Sequence, residues 1–388
     1  MPRPPHVAAS TETLSTRVFS QLAARARAKT ERGERVFPLH VGDTYMEPPA
    51  AARAETQLTA DHPGLHKYAP VQGEPALLDA IQRRLERLGH PVARERLQVV
   101  SGATSGLSVI AEALLDPGDE VLLPAPFWPL IRGILAKRGA TPVQVPVWHE
   151  AGIDVEAALE AAVTERTVAL YVNTPHNPTG RMLSDTQVEA MVRVAARHDL
   201  WLIADEAYQD LWFGEAAPTP IWAHPEVADR YVACHTLSKS YGLAGARVGY
   251  VHGGGAAMPA VQGVQTFSTY CAPRPMQLGA VHALDEGDAF LAARRAEFGA
   301  MGRRAAELLG LEPPAGGTFL FFDAAPYLRE GETDAMPFLE RALDHGVLLT
   351  PGASCGERFG RWVRLCFTTL DPETFDAALE ALAPVLAK

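Results

Sequence analysis

The stretch Ser184–Tyr208, "SDTQVEAMVRVAARHDLWLIADEAY", decides the fold of this chain. Residues 184–200 open on a serine suited to cap a helix, with a Glu following, and end in a histidine-containing turn. The next run, "LWLIA" (200–204), is apolar without alternation. A strand reads this way when a mainly parallel sheet buries both its faces. A helix feeding such a strand is the building unit of an α/β layered domain. The strand gives way to Asp205, and a carboxylate straight after a buried run is costly unless it meets a positive partner.

The same alternation extends on both sides, from about residue 97 to 250. The other runs are "RLQVV" (96–100), "EVLLP" (120–124), "VALYV" (168–172), "YVACH" (231–235) and "RVGYVH" (247–252). After "SGATSG" (101–106), Leu107, Ile110, Ala111 and Leu114 fall on one helical face. The tail reads differently. Residues 285–310 give one long charged helix, "TFLFFD", "VLLTPG" and "RWVRLCF" give strands, and "DPETFDAALEALAPVLAK" gives a last helix. The first forty residues, with one helix and the short strand "VFPLHVG", join this smaller α+β part. We therefore expect a large domain over residues 45–285 and a small domain from residues 1–44 with 286–388.

A chain of 388 residues exceeds the usual single core, which agrees with two domains. No twenty-residue apolar run is present to span a bilayer, and the first residues lack an apolar signal core, so a cytoplasmic protein with an amphipathic first helix is expected. The formal charge of −11, without a concentrated basic stripe, argues against nucleic acid and anionic membrane as partners. The basic cluster at 24–35 contains acids and reads as a solvated helix face and loop. Cys234, Cys271, Cys355 and Cys366 form no CxxC pair, which suits unpaired thiols in a reducing compartment. The histidines show no metal-binding spacing, so no metal site is expected.

In open α/β sheets, ligands bind beyond the carboxyl ends of the strands. There the chain places the small-residue turn 101–106, whose N–H groups at a helix start suit an anion. It also places Phe127 and Trp128, then Asn177 in "NTPHNPTG", then Asp205, Glu206 and Tyr208, then Thr236, Ser238 and Lys239, and finally Arg247. Each has an ordinary structural reading alone: a tight turn, a core aromatic, a turn former, a loop acid, a surface lysine. Together they set an anion seat, an aromatic plate, an amide, a carboxylate, a phenol, an amine and a guanidinium at one sheet edge. That set suits pyridoxal phosphate, which needs a lysine amine, an acid beside its pyridine nitrogen, donors to its ring oxygen, a flat plate and a phosphate seat. In "WVRLCF", Val363, Leu365 and Phe367 share one strand face and leave Arg364 on the other, where it needs an anionic partner, either a ligand or an internal acid.

These residues resemble the class I/II aminotransferases of fold type I, the aspartate aminotransferase superfamily. The markers run along nearly the whole chain: "LHVGD" (39–43), "KYAPVQGEPALLDAI" (67–81), "SGATSG", "PAPFWP", "NTPHNPTG", "ADEAY", "TLSKSYGLAGARVGY", "GGTFLFF" and "WVRLCF". The resemblance implies a mainly parallel seven-stranded sheet sandwiched by helices, plus a smaller α+β domain. It implies that Lys239 forms the internal aldimine and moves the substrate proton, that Asp205 pairs with the pyridine nitrogen, and that Tyr208 and Asn177 hold the ring oxygen. Trp128 would stack on the ring, while Ala103, Thr104, Thr236, Ser238 and Arg247 hold the phosphate. Tyr68 would reach the phosphate of a neighbouring subunit, which implies a homodimer with shared sites. Arg364, Gly42 and Asn177 would bind the substrate α-carboxylate.

The implied reaction moves an amino group from an L-amino acid to a 2-oxo acid, 2-oxoglutarate in most of the family. Relatives that act as carbon–sulfur β-lyases or amino-acid cyclising synthases share the same motifs. Thr104 stands where an aspartate-specific branch carries a lysine, and another branch's partner-subunit arginine has no match upstream of residues 271–273, which argues against aspartate as the preferred donor. Arg274 nearby either faces the site or lies on a surface loop. Tyr45, Met46 and Phe127 hint at apolar or aromatic donors. A serine hydrolase reading, prompted by "HGGG" (252–255), fails because no G-x-S-x-G elbow follows a strand.

Overall fold

The computed structural model describes Leu14, residues 22–148 and residues 152–387. Ser184 caps the helix Asp185–Arg197 through a capping box. Its hydroxyl accepts from the Gln187 N–H at 3.3 Å and its own N–H donates to Gln187 Oε1 at 3.0 Å, so Gln187 closes the box rather than a glutamate. Val188, Met191, Val192 and Ala195 bury one face of that helix, and Asp199, at φ 59°, turns the chain into the strand that follows.

Twelve strands are described: β1 (Phe37–Pro38), β2 (Leu97–Val100), β3 (Glu120–Ala125), β4 (Thr141–Pro146), β5 (Thr167–Asn173), β6 (Trp201–Asp205), β7 (Tyr231–Thr236), β8 (Gly249–Gly253), β9 (Phe319–Asp323), β10 (Val347–Leu348), β11 (Thr350–Pro351) and β12 (Trp362–Cys366). Seven form the central sheet in the order β2-β8-β7-β6-β5-β3-β4. All neighbours pair in parallel except β8, which is antiparallel to both β2 and β7. Six of the seven are the apolar runs of the sequence. The seventh, β4, carries an exposed Thr141 and two prolines, a composition tolerated at a sheet edge and silent in an apolar scan.

Helices cover both faces. Ala103–Leu114, Pro129–Ala136 and Met258–Ser268 pack on one, and Pro75–Arg87, Asp185–Arg197 and Arg274–Glu286 on the other. Among the described residues no helix is long and apolar enough to cross a membrane.

A second core joins the two chain ends. β1 pairs in parallel with β10, and β11-β12-β9 form an antiparallel sheet. Phe37 and Leu39 pack there with Phe298, Phe319, Phe338 and Phe375. The long charged helix expected over 285–310 is Asp288–Leu309, and Gly287 separates it from the preceding helix, Arg274–Glu286. A β-carbon at Gly287 would run into the Ala283 carbonyl and the Tyr241 ring. Most of the Arg-rich N-terminal segment lies outside the described residues. Its end forms the helix Ala23–Glu31, whose Lys29 pairs with Glu34 at 2.5 Å, as the solvated basic face requires. His252 and Gly253 of "HGGG" are buried inside β8, where the side chain of His252 contacts His235 at 2.9 Å; this is strand, not an oxyanion loop.

The helix Ala103–Leu114 lies on the sheet through Gly106, where a β-carbon would come within 2.6 Å of Cys234 Sγ and 3.1 Å of Val100. Gly106→Ala should therefore cost about 1–3 kcal/mol in urea unfolding, as overpacking does. A variant as stable as the parent would show that the helix can lift freely.

Candidate active site

The carboxyl ends of the parallel strands open into a cavity of about 220 Å³. Ala103, Thr104, Trp128, Asn177, Asp205 and Tyr208 line it, together with Thr236, Ser238, Lys239, Arg247, Gly42 and Arg364. Of the residues to which the family likeness gives a role in the site, only Tyr68 lies outside this lining. It is 82% exposed and lies edge-on to Tyr270, with ring centroids 5.2 Å apart, outside the cavity.

One end of the cavity is built for an anion. The helix Ala103–Leu114 starts at Gly102, which sits at φ 79°. A β-carbon on Gly102 would stand 2.6 Å from Arg247 Nη2, so only glycine lets the guanidinium approach the helix start. Arg247 itself is left-handed at φ 54°, a conformation costing a non-glycine residue about 1–3 kcal/mol. Its guanidinium donates to the carbonyls of Ala244 at 2.7 Å and Ser101 at 3.2 Å. The hydroxyls of Thr236 and Ser238 are 2.9 Å apart beside it. A guanidinium, two hydroxyls and free helix N–H groups make a phosphate-sized seat.

Another part of the wall holds a buried acid. In the β5–β6 pairing, Tyr171 lies opposite Ile203 and Asn173 opposite Asp205, so all four share one sheet face. The Tyr171 hydroxyl donates to Asp205 Oδ2 at 2.6 Å, the Ala207 N–H donates to Oδ1 at 3.1 Å, and Asn173 Nδ2 donates to the Asp205 carbonyl at 2.8 Å. Burial pushes the Asp205 carboxyl up to about 6, against the opposing pull of those Tyr171 and Ala207 bonds. Asn177 is locked by its N–H to Asn173 Oδ1 at 2.8 Å and donates its amide to the Tyr208 hydroxyl at 3.2 Å.

Arg364, on β12, is 1% exposed. It donates to Asn177 Oδ1 at 3.1 Å and to the His40 carbonyl at 3.0 Å, and its guanidinium lies 4.3 Å from the Phe319 ring centroid. On the ring's other contact, Phe319 leaves no room for a β-carbon at Gly42. Burial, then the Arg364 charge, push the His40 imidazole down to about 4, so it is neutral at physiological pH. Lys239 Nζ donates to the Gly42 carbonyl at 2.5 Å. Burial lowers its amine below the ordinary lysine range; Asp43 and Cys366 pull the other way, and Arg247 and Arg364 deepen the shift.

Tyr171, Asn173, His40, Phe319, Leu130 and Val41 escaped the sequence reading, although all shape this wall or its supports. Tyr171 and Phe319 hide inside apolar runs, and only the strand register exposes the first of them. The side-chain hints do not hold. Phe127 is in the core, Met46 is buried, and the Tyr45 hydroxyl is bonded to Glu297. Arg274 pairs through Nε with the buried Glu74 at 2.7 Å and does not line the cavity. All four cysteines are free.

The geometry is that of an enzyme site in which an activated amine stands with a buried acid and an anion seat. The comparisons with known proteins agree. The model of the family aminotransferase class I and II matches residues 34–382. The arginine–pyruvate transaminase of Pseudomonas aeruginosa is 34% identical over 354 residues, covering 88% of each chain. The aspartate/prephenate aminotransferase of Thermus thermophilus is 31% identical over 385 residues, 94% of each. Among solved structures, the N-succinyldiaminopimelate aminotransferase of Mycobacterium tuberculosis superposes with a TM-score of 0.89 at 28% identity, covering 98% of this chain and all of that one. The aspartate aminotransferase of Thermus thermophilus with maleate gives 0.87 at 27% identity over the same shares. The chain belongs to the class I and II aminotransferases and has their fold.

The burial of Lys239 gives a measurable consequence. In protein freed of small ligands, reductive methylation followed over pH by NMR should show Lys239 titrating below the exposed lysines. Titration together with them would contradict its burial.

Proposed function

We propose that the cavity holds pyridoxal 5'-phosphate and that this aminotransferase moves the amino group of an L-amino acid to a 2-oxo acid, with 2-oxoglutarate as acceptor. When bound, the cofactor supplies an aldehyde that takes up the amino group and a ring that draws electrons from the substrate α-carbon. The observation that carries the reading is Lys239, a buried amine with a lowered pKa that shares one cavity with Asp205, Arg247 and Arg364. The Gly102 cradle supports the fit, because a side chain there would push Arg247 out of the phosphate seat.

The lining residues then divide the work. Arg247, Thr236, Ser238 and the N–H groups of Ala103 and Thr104 hold the phosphate. Asp205 keeps the pyridine nitrogen protonated, and that charge supplies the cation a buried carboxylate lacks. Tyr208 and Asn177 fix the ring oxygen, and Trp128 covers the ring. Arg364, with the Gly42 backbone and Asn177, orients the substrate carboxylate. Lys239 Nζ, placed at the Gly42 carbonyl, would in its neutral form take the proton from the substrate α-carbon. Val41 and Leu130 are the apolar part of the wall left for the substrate side chain.

A homodimer completes the site, with Tyr68 of the partner subunit on the phosphate. The exposure of Tyr68, Tyr270 and Phe267 on one chain supports a covering second copy. We assign residues 45–285 to cofactor binding and residues 1–44 with 286–388 to the small domain, and place the enzyme in the cytoplasm.

Purified protein should be yellow, with the colour lost in Lys239→Ala; borohydride reduction and peptide mapping should place the cofactor mass on Lys239. A colourless protein that ignores added pyridoxal phosphate would sink the reading. Incubated with an amino donor alone, the enzyme should stop at the aminated cofactor, whereas release of pyruvate and ammonia would make it a β-lyase. Arg364→Lys should raise KM for the donor about ten- to a hundredfold, the loss expected for a charge-assisted bond pair. An unchanged KM would remove Arg364 from carboxylate binding.

A further inference from the structure

A second cavity, of about 400 Å³, lies beside the site and shares no lining residue with it. That volume falls in the range of small-ligand sites. Glu206, next to Asp205 in sequence, lines this cavity whereas Asp205 lines the active site. Glu206 is 4% exposed, and among the described residues its Oε1 has no hydrogen-bond partner. Burial, then the Asp205 and Asp210 carboxylates, push its carboxyl up to about 8, with only the Trp222 side chain pulling the other way.

The cations on the same wall are committed elsewhere. Arg84 is buried in an ion pair with Asp210 and faces Asp288 at 3.6 Å. Arg295 lies 4.7 Å from the centroid of the Trp212 ring and donates to the Asp210 carbonyl at 3.3 Å. Without a cation the buried Glu206 carboxyl keeps its proton near neutral pH, and a positively charged N–H donor would favour its ionised form. A metal ion does not fit this role, because among the described residues no group of three or more His, Cys, Asp or Glu side chains comes together. Leu183, Val188 and Leu291 make the cavity apolar on another side.

We propose that this cavity binds a small protonated amine with an apolar body, its ammonium on Glu206 and its hydrocarbon against Leu183, Val188 and Leu291. The probe is N,N-dimethylbutylamine, a tertiary amine that donates one N–H when protonated and cannot condense with an aldehyde. Titrated calorimetrically into the purified enzyme, it should bind saturably, and butyltrimethylammonium, with the same charge and no N–H, should bind about tenfold more weakly. Glu206→Gln should weaken the tertiary amine by about tenfold. Leu88→Lys places a like charge on a cavity wall at a position 40% exposed, where the fold tolerates it, and should weaken binding several-fold at low salt. Absence of saturable binding to the parent enzyme overturns the proposal, as does undiminished binding by Glu206→Gln. Should Glu206→Gln not fold, undiminished binding by Leu88→Lys overturns it instead.

Discussion

A guanidinium with 1% of its surface exposed must be given oxygens, and this molecule is arranged around how Arg364 receives them. One oxygen comes from His40 near the start of the chain and another from Asn177 in the middle. The aromatic floor beneath the charge, Phe319, comes from the last quarter. Three distant segments therefore meet at one side chain. The same contacts tie the small sheet, where Arg364 and Phe319 sit on β12 and β9, to the loop after β5 that carries Asn177. The pocket that receives a substrate carboxylate is thus also the joint between the two sheets.

Asp205 and Glu206 show how a strand end divides labour. Asp205 ends β6 and lines the active-site cavity, and Glu206, the next residue, lines the second cavity. Asp205 receives a phenol and a backbone N–H, which hold its shift to a modest one. Glu206 keeps the larger upward shift of the two. The fold accepts one well hydrogen-bonded acid on the active face and one poorly satisfied acid behind it. Two ionised carboxylates so close would each raise the cost of the other.

Much of this was legible in the sequence because the sheet is parallel. Its strands are buried on both faces, so they read as unbroken apolar runs, and the polar residues that follow them land at one edge. Strand β4 was invisible for the complementary reason: it is an edge, half exposed and proline-bearing. Tyr171 and Phe319 read as core, since an aromatic in an apolar run gives no sign of which neighbour it touches. Tyr68 was found through a family likeness alone, and a single chain gives it no place in the cavity.

The antiparallel strand β8 has an effect on how this protein can change over time. A parallel neighbour to β7 would need a crossover of a dozen or more residues, normally a helix. Because β8 runs backward, the chain from Thr236 to Gly249 turns and re-enters the sheet at the end where it left. Lys239 and Arg247 ride on that single return. Their separation is a matter of ring closure, with Thr236 held opposite Gly249 and His235 stacked on Tyr250 as the clasp. The return behaves as a fixed ruler, in which an inserted or deleted residue would shift one cation against the other.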